Sequence, residues 1–114
     1  MDFYRLNDGS IVASLTGALE DGEKLVANTV DAAKEKHVPF VTVAGQKVNV
    51  KVGEVEHPMT EEHYIVFVAV VTNNQTLFKE FNPGEKPEAD FILPDGDQVV
   101  EVYEYCSLHG LWKA

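Results

Sequence analysis

Cys106 and His109 stand three residues apart near the C-terminus, within Tyr105-Cys106-Ser107-Leu108-His109-Gly110-Leu111-Trp112. A soft thiolate and an imidazole at this spacing can bind one transition metal, because a short loop lets both point inward. Two donors hold a metal weakly, so the rest of the set must lie upstream. Cys106 is the only cysteine, and the chain has three further histidines. His37 lies in Lys34-Glu35-Lys36-His37-Val38-Pro39, and His57 and His63 lie in Glu56-His57-Pro58-Met59-Thr60-Glu61-Glu62-His63. Taken singly, a histidine is more often a surface or hydrogen-bonded residue, and a lone cysteine a small buried apolar one. Their joint placement at strand ends or in adjoining loops points to one shared metal.

The donor chemistry narrows the choice of metal. A closed zinc site takes four ligands in a tetrahedron, and five candidates are one too many. A blue-copper electron-transfer site, as in a cupredoxin-like protein, takes two histidines, one cysteine and a weak axial methionine. Met59 is available for that role, but no methionine follows Cys106 and two histidines would stand idle. Four imidazoles and one thiolate suit a five-coordinate iron with its sixth position open.

The elements that must position these donors read as β-structure from Val38 onward. Phe40 to Val43 and Lys47 to Val52 flank Ala44-Gly45-Gln46, a three-residue hairpin connection. In the second run Val48, Val50 and Val52 alternate with Lys47, Asn49 and Lys51, the pattern of a half-buried strand. Gly53 to Glu62 is a polar loop in which Pro58 forbids a regular strand. His63 to Thr72 is apolar on both faces, which predicts a central strand covered on both sides by the fold or by another subunit. Strands follow over Thr76 to Phe81, Ala89 to Leu93 and Gln98 to Cys106, the last after the turn Pro94-Asp95-Gly96-Asp97. About seven strands with short turns predict an all-β, antiparallel sandwich of immunoglobulin-like type. Residues 1–28 form a short N-terminal segment in which glycines punctuate apolar pieces such as Ile11-Val12-Ala13 and Leu25-Val26-Ala27. Asp31 to Lys34 has room for one helical turn.

With 114 residues, the chain has the size of one domain. Nineteen acidic residues against nine basic ones give a net charge of −10, a field that repels nucleic acid and anionic lipid alike. No run of ~18 apolar residues offers a membrane span, and Met1-Asp2-Phe3-Tyr4-Arg5 does not open a secretory signal. A single cysteine fits a reducing compartment, so a cytoplasmic protein is expected.

Four stretches together resemble superoxide reductase (desulfoferrodoxin and neelaredoxin) in order and spacing. They are Glu35-Lys36-His37-Val38-Pro39, Gly53-Glu54-Val55-Glu56-His57-Pro58-Met59, Glu61-Glu62-His63-Tyr64 and Cys106-Ser107-Leu108-His109-Gly110-Leu111-Trp112. The likeness runs from about Asn28 to the C-terminus. It implies one iron per chain, cycling between ferrous and ferric, held by His37, His57, His63 and His109 with Cys106 as the axial sulfur. It further implies that Glu35 binds the oxidised iron at the sixth position and that Lys36 sits beside the open face. The implied activity is one-electron reduction of superoxide to hydrogen peroxide. Rubredoxin or a similar small protein is implied as electron donor, and a homodimer, or else a tetramer, as the assembly. Desulfoferrodoxin carries four N-terminal cysteines around a second iron, whereas residues 1–28 contain none, so that iron must be absent. The expected division is therefore a reduced N-terminal segment, 1–28, and an iron-binding sandwich, 29–114. Ser107 stands where many relatives have Asn, and lying between two ligands it is expected to be a harmless change.

Overall fold

A computed structural model describes all 114 residues. The strands are β1 (Asp2–Arg5), β2 (Ile11–Ser14), β3 (Glu23–Lys24), β4 (Pro39–Ala44), β5 (Lys47–Val52), β6 (Ile65–Thr72), β7 (Thr76–Glu80), β8 (Glu88–Ile92), β9 (Val99–Cys106) and β10 (Gly110–Lys113). A single helical turn, α1 (Lys34–His37), precedes β4. Two sheets, in strand order β10-β9-β6-β7 and β4-β5-β8, face each other, and every pairing is antiparallel. The molecule is thus the β-sandwich that the strand pattern predicts. None of its helices is long and apolar enough to cross a membrane.

Alternation decides what enters the sandwich. Val48, Val50 and Val52 on β5 are completely buried and meet Val68 and Val70 of β6 and Val102 of β9 in one apolar cluster. Cys106 closes that cluster at the end of β9. The thiol therefore rises from the floor of the core and not from a surface loop.

β6 is covered on both faces, and the cover is the chain's own N-terminal segment. β2-β1-β3 forms a third layer whose Phe3 packs with Ala69, Tyr103, Tyr105 and Leu111 on the outer side of the larger sheet. A bulge between Ile65 and Phe67 breaks the alternation, so Val66 and Phe67 both turn to that outer layer. Asn28 fastens the layer's end: its side chain exchanges bonds with the Lys113 backbone, Nδ2 to the carbonyl at 3.0 Å and Lys113 N–H to Oδ1 at 2.8 Å.

Two local expectations shift. The β4–β5 connection is two residues long, with Ala44 paired to Lys47, because Gly45 takes φ 61° and admits the tighter turn. The helical turn lies at Lys34–His37, three residues beyond the predicted one, and Ala33 at its start supplies no side-chain cap. It is held by tertiary bonds, such as Val55 N–H to the Glu35 carbonyl at 2.9 Å. β3 ends at Lys24, and Leu25 and Ala27 serve as packing for the outer layer.

Candidate metal centre

Each donor is set by a different local device. Pro39 keeps Val38 extended, at φ −66° and ψ 124°, which ends α1 and leaves His37 at its last position. A Cβ on Gly53 would lie 2.7 Å from the Glu35 carbonyl oxygen, so only glycine lets the loop after β5 run this close beneath α1. His57 is pinned by its own N–H to the Val52 carbonyl at 2.9 Å. His63 closes a small turn in which Thr60 and His63 exchange backbone bonds at 3.0 and 3.2 Å. Cys106 ends β9, and the His109 N–H points at its Sγ from 3.4 Å. Gly110, at φ 79°, then reverses the chain into β10.

These devices bring all four histidines around one axis. Ring centroids lie 4.7 Å apart for His37–His57, 4.6 Å for His57–His63, 4.9 Å for His63–His109 and 4.9 Å for His109–His37. Successive planes stand at 78–85°, while the diagonal pair His37–His63 is 6.3 Å apart and inclined by 27°. The rings are arranged as a four-bladed pinwheel. Donor atoms of His37, His57, His63 and Cys106 all lie within 4.8 Å of one another. His109 adds its Nδ1, 3.1 Å from His37 Nε2.

The protonation pattern shows that this centre suits a cation. His37 Nδ1 lies 2.7 Å from the Ala33 carbonyl and His57 Nδ1 2.6 Å from the Pro58 carbonyl. A carbonyl only accepts, so both Nδ1 atoms carry the proton. Burial pushes both imidazoles toward the neutral form, His57 down to about 4 despite the bond to Pro58. Each Nε2 is then a bare lone pair, and the two face each other at 3.2 Å with no proton to share. His63 Nε2 is buried with no partner at all, and burial lowers the proton affinity of that ring too. Lone pairs aimed at one point are repulsive unless a cation lies among them. Three nitrogens and a sulfur within this span fit a borderline transition metal such as iron.

Cys106 Sγ lies 3.4 Å from His57 Nε2 and is fully buried. Burial pushes the thiol upward, opposed by the backbone N–H groups of Leu108 and His109. The thiol thus keeps its proton until a metal displaces it. Met59 is not part of the donor set: its Sδ accepts the Ile65 N–H at 3.3 Å. With that sulfur engaged and four rings assembled, a blue-copper arrangement is not favoured.

Lys36 is exposed and lines a polar cleft with His57, Pro58 and Met59. Its charge helps lower the His63 proton affinity, which places it within electrostatic reach of that ring. Glu35 is also exposed and stands outside the clustered donors, though its charge reaches the His37 ring and raises that ring's proton affinity.

Two residues of the C-terminal motif have supporting contacts that the sequence does not disclose. Trp112 donates its indole N–H to the His109 carbonyl at 3.1 Å and lays its ring 4.9 Å from that of His37. Ser107 does more than fill space between ligands: its Oγ accepts the Tyr64 N–H at 3.1 Å and its N–H returns to the Tyr64 carbonyl at 2.9 Å. The turn between Cys106 and His109 is thereby tied to the residue after His63. Gly53, at the start of the loop that carries His57, is the residue type that such a close backbone approach requires.

Fold and site together define a β-sandwich metalloprotein with a mixed imidazole–thiol centre. The desulfoferrodoxin family model matches residues 29–114, and the chain belongs to that family. It is 46% identical over 100 residues to a desulfoferrodoxin of Clostridium acetobutylicum, covering 88% of this chain and 78% of the relative. Among solved structures it resembles the superoxide reductase from Treponema pallidum, with TM-score 0.83, 40% identity, and coverage of 100% of this chain and 99% of that one. A superoxide reductase from Giardia intestinalis is similar over 71% of this chain and 96% of its own, with TM-score 0.60 and 33% identity.

Proposed function

We infer that this chain is a superoxide reductase, adding one electron and two protons to superoxide to give hydrogen peroxide. The single observation that carries it, in a chain of this family, is the pinwheel of imidazoles whose unshared nitrogens converge above a buried thiol. We propose that His37, His57, His63 and His109 would hold one iron per chain through nitrogen and Cys106 through sulfur. Bound iron would supply the electron by cycling between its ferrous and ferric states.

The chain's own residues do the rest. The carbonyls of Ala33 and Pro58 fix the His37 and His57 tautomers, so the inward nitrogens are ready to donate without shedding a proton. The buried valines beneath Cys106 keep water from the sulfur side. Approach is from the opposite side, where His63 and His109 are partly exposed. There Lys36 offers a positive charge to an anion that the protein's net −10 otherwise repels. Water beside Lys36 delivers the protons. Glu35 would supply a carboxylate to the oxidised iron, a role supported by its place on α1 two residues before His37.

We further propose rubredoxin or a similar small protein as electron donor, supported by the partly exposed edges of His63 and His109. A homodimer is the proposed assembly, supported by exposed apolar side chains such as Leu15 and Val26 on the N-terminal layer. Residues 29–114 are proposed as the iron-binding unit, and 1–28 as a segment with no metal of its own, since it has no cysteine. The cytoplasm is the proposed compartment, where Cys106 would stay reduced.

The test is metal analysis joined to stoichiometry. Anaerobically purified protein should bind one ferrous ion and, with an external reductant, consume about one electron for each superoxide removed. Peroxide formed without reductant consumption would identify a dismutase instead. Copper in place of iron would sink the assignment outright. Cys106→Ser should abolish the thiolate-to-iron absorption band and most of the activity.

A further inference from the structure

Met59 is the one sulfur beside the centre that the donor set leaves unused. It lies between His57 and His63 and lines the same cleft as Lys36 and His57. Its Sδ is the acceptor for the Ile65 N–H at 3.3 Å, and Ile65 is the β-sheet partner of Cys106. Its carbonyl accepts the Gly84 N–H at 2.8 Å, which fixes the backbone against the opposite wall. Of the other two sulfurs, one is buried and one lies away from the cleft. Cys106 is completely buried, and Met1, with only 8% of its side chain exposed, belongs to the outer layer across the sheet.

We propose that Met59 is the oxidation site of this protein, taking an oxygen atom from hydrogen peroxide in the cleft beside the metal centre. The proposal rests on the superoxide reductase assignment, which makes peroxide the product released there. A sulfur lone pair forms the S–O bond as the O–O bond breaks, and the departing hydroxide takes the proton from the transferred oxygen and leaves as water. Sulfur loses two electrons and peroxide gains them, so no other reagent is needed.

Oxidation would act on the centre through the loop. Met59 packs against the apolar core while its sulfur holds the start of β6. A sulfoxide turns that contact polar and forces the Ile65 bond to be remade around an added oxygen. The segment so loosened is the one that carries His57 and His63. Met59 is thus also a positioning residue for two of the donors.

The experiment exposes iron-loaded and zinc-substituted full-length protein to hydrogen peroxide and maps methionine sulfoxide by peptide mass spectrometry. In both forms Met59 should gain one oxygen well ahead of Met1, because the transfer needs only peroxide in the cleft. Oxidation of Met1 as fast as Met59 in either form would overturn the proposal. Because peroxide is added as a reagent, this result does not depend on superoxide reduction, which the stoichiometry above tests separately.

Discussion

Gly53 and Glu35 approach so closely that a side chain on the first would strike the backbone of the second. A Cβ at Gly53 would sit 2.7 Å from the Glu35 carbonyl oxygen, 2.9 Å from the Lys36 carbonyl carbon and 3.1 Å from the Val38 carbonyl oxygen. All three obstacles are main chain, so no rotamer change relieves them. The same contact seats α1, whose Glu35 carbonyl takes the Val55 N–H. Gly53→Ala should therefore cost about 1–3 kcal/mol, as overpacking does, and should displace His37. Denaturant unfolding and metal titration of the variant both read this. A variant with wild-type stability and full metal affinity would show that α1 can slide freely.

Asn28 holds a conformation and two bonds at once. It is the non-glycine residue at positive φ, 63°, and its side chain pairs with the Lys113 backbone in both directions. Asn28→Ala loses both bonds and leaves alanine in a region it disfavours, for a loss of about 2 kcal/mol. Asn28→Gly removes the bonds but accepts the backbone angle, so its loss should be smaller, about 1 kcal/mol. Equal effects from the two substitutions, compared by urea midpoint, would rule out any contribution from backbone strain.

Periodicity made β5 and β6 legible, because Val48, Val50 and Val52 alternate and β6 is apolar on both faces. What covers the outer face of β6 was not legible. Phe3 and Leu25 lie in short pieces without a period, and they become a layer only when long-range packing gathers them. β10 was hidden for a different reason: four residues beginning at Gly110 look like the tail of a ligand loop until β9 supplies a partner. At the site, residue type and spacing pointed to the candidate donors, since His and Cys are few. The groups that aim them are backbone carbonyls of Ala33 and Pro58, which no side-chain pattern encodes.

Metal-free protein should lose stability on acidification in a window set by histidines, above the range of ordinary carboxylates. Burial lowers the His57 pKa from 6.5 to about 4, and His37 and His63 move in the same direction. Their folded values are depressed, so the associated stability is intact above the unfolded value. It declines as pH falls from about 6.5, where only the unfolded chain takes up protons, and is gone below the folded value. For His57 alone the shift is worth about 3 kcal/mol. Urea unfolding of the metal-free protein between pH 7 and pH 4, in roughly half-unit steps, measures the slope directly. A flat profile down to the carboxylate range would mean that the rings are solvated before metal binds.

Lys36 faces a more demanding test, because the protein around it is strongly acidic. At net charge −10 the far field repels superoxide, and only a charge close to the centre can reverse the potential there. Lys36 lines the cleft beside His57 and forms none of the ion pairs that occupy Lys24, Lys47, Lys79, Lys86 and Lys113. Its charge is therefore free to act on an incoming anion. Lys36→Ala should slow the bimolecular reaction by about tenfold at low salt, and Lys36→Glu by more. Added salt should narrow the gap between wild type and both variants, since screening shortens the reach of either charge to roughly 8–10 Å at moderate ionic strength. Pulse radiolysis over a salt series separates this from a misplaced His37, which would lower the rate equally at every ionic strength. If wild type and Lys36→Glu share one rate and one salt dependence, the anion is not guided by this residue.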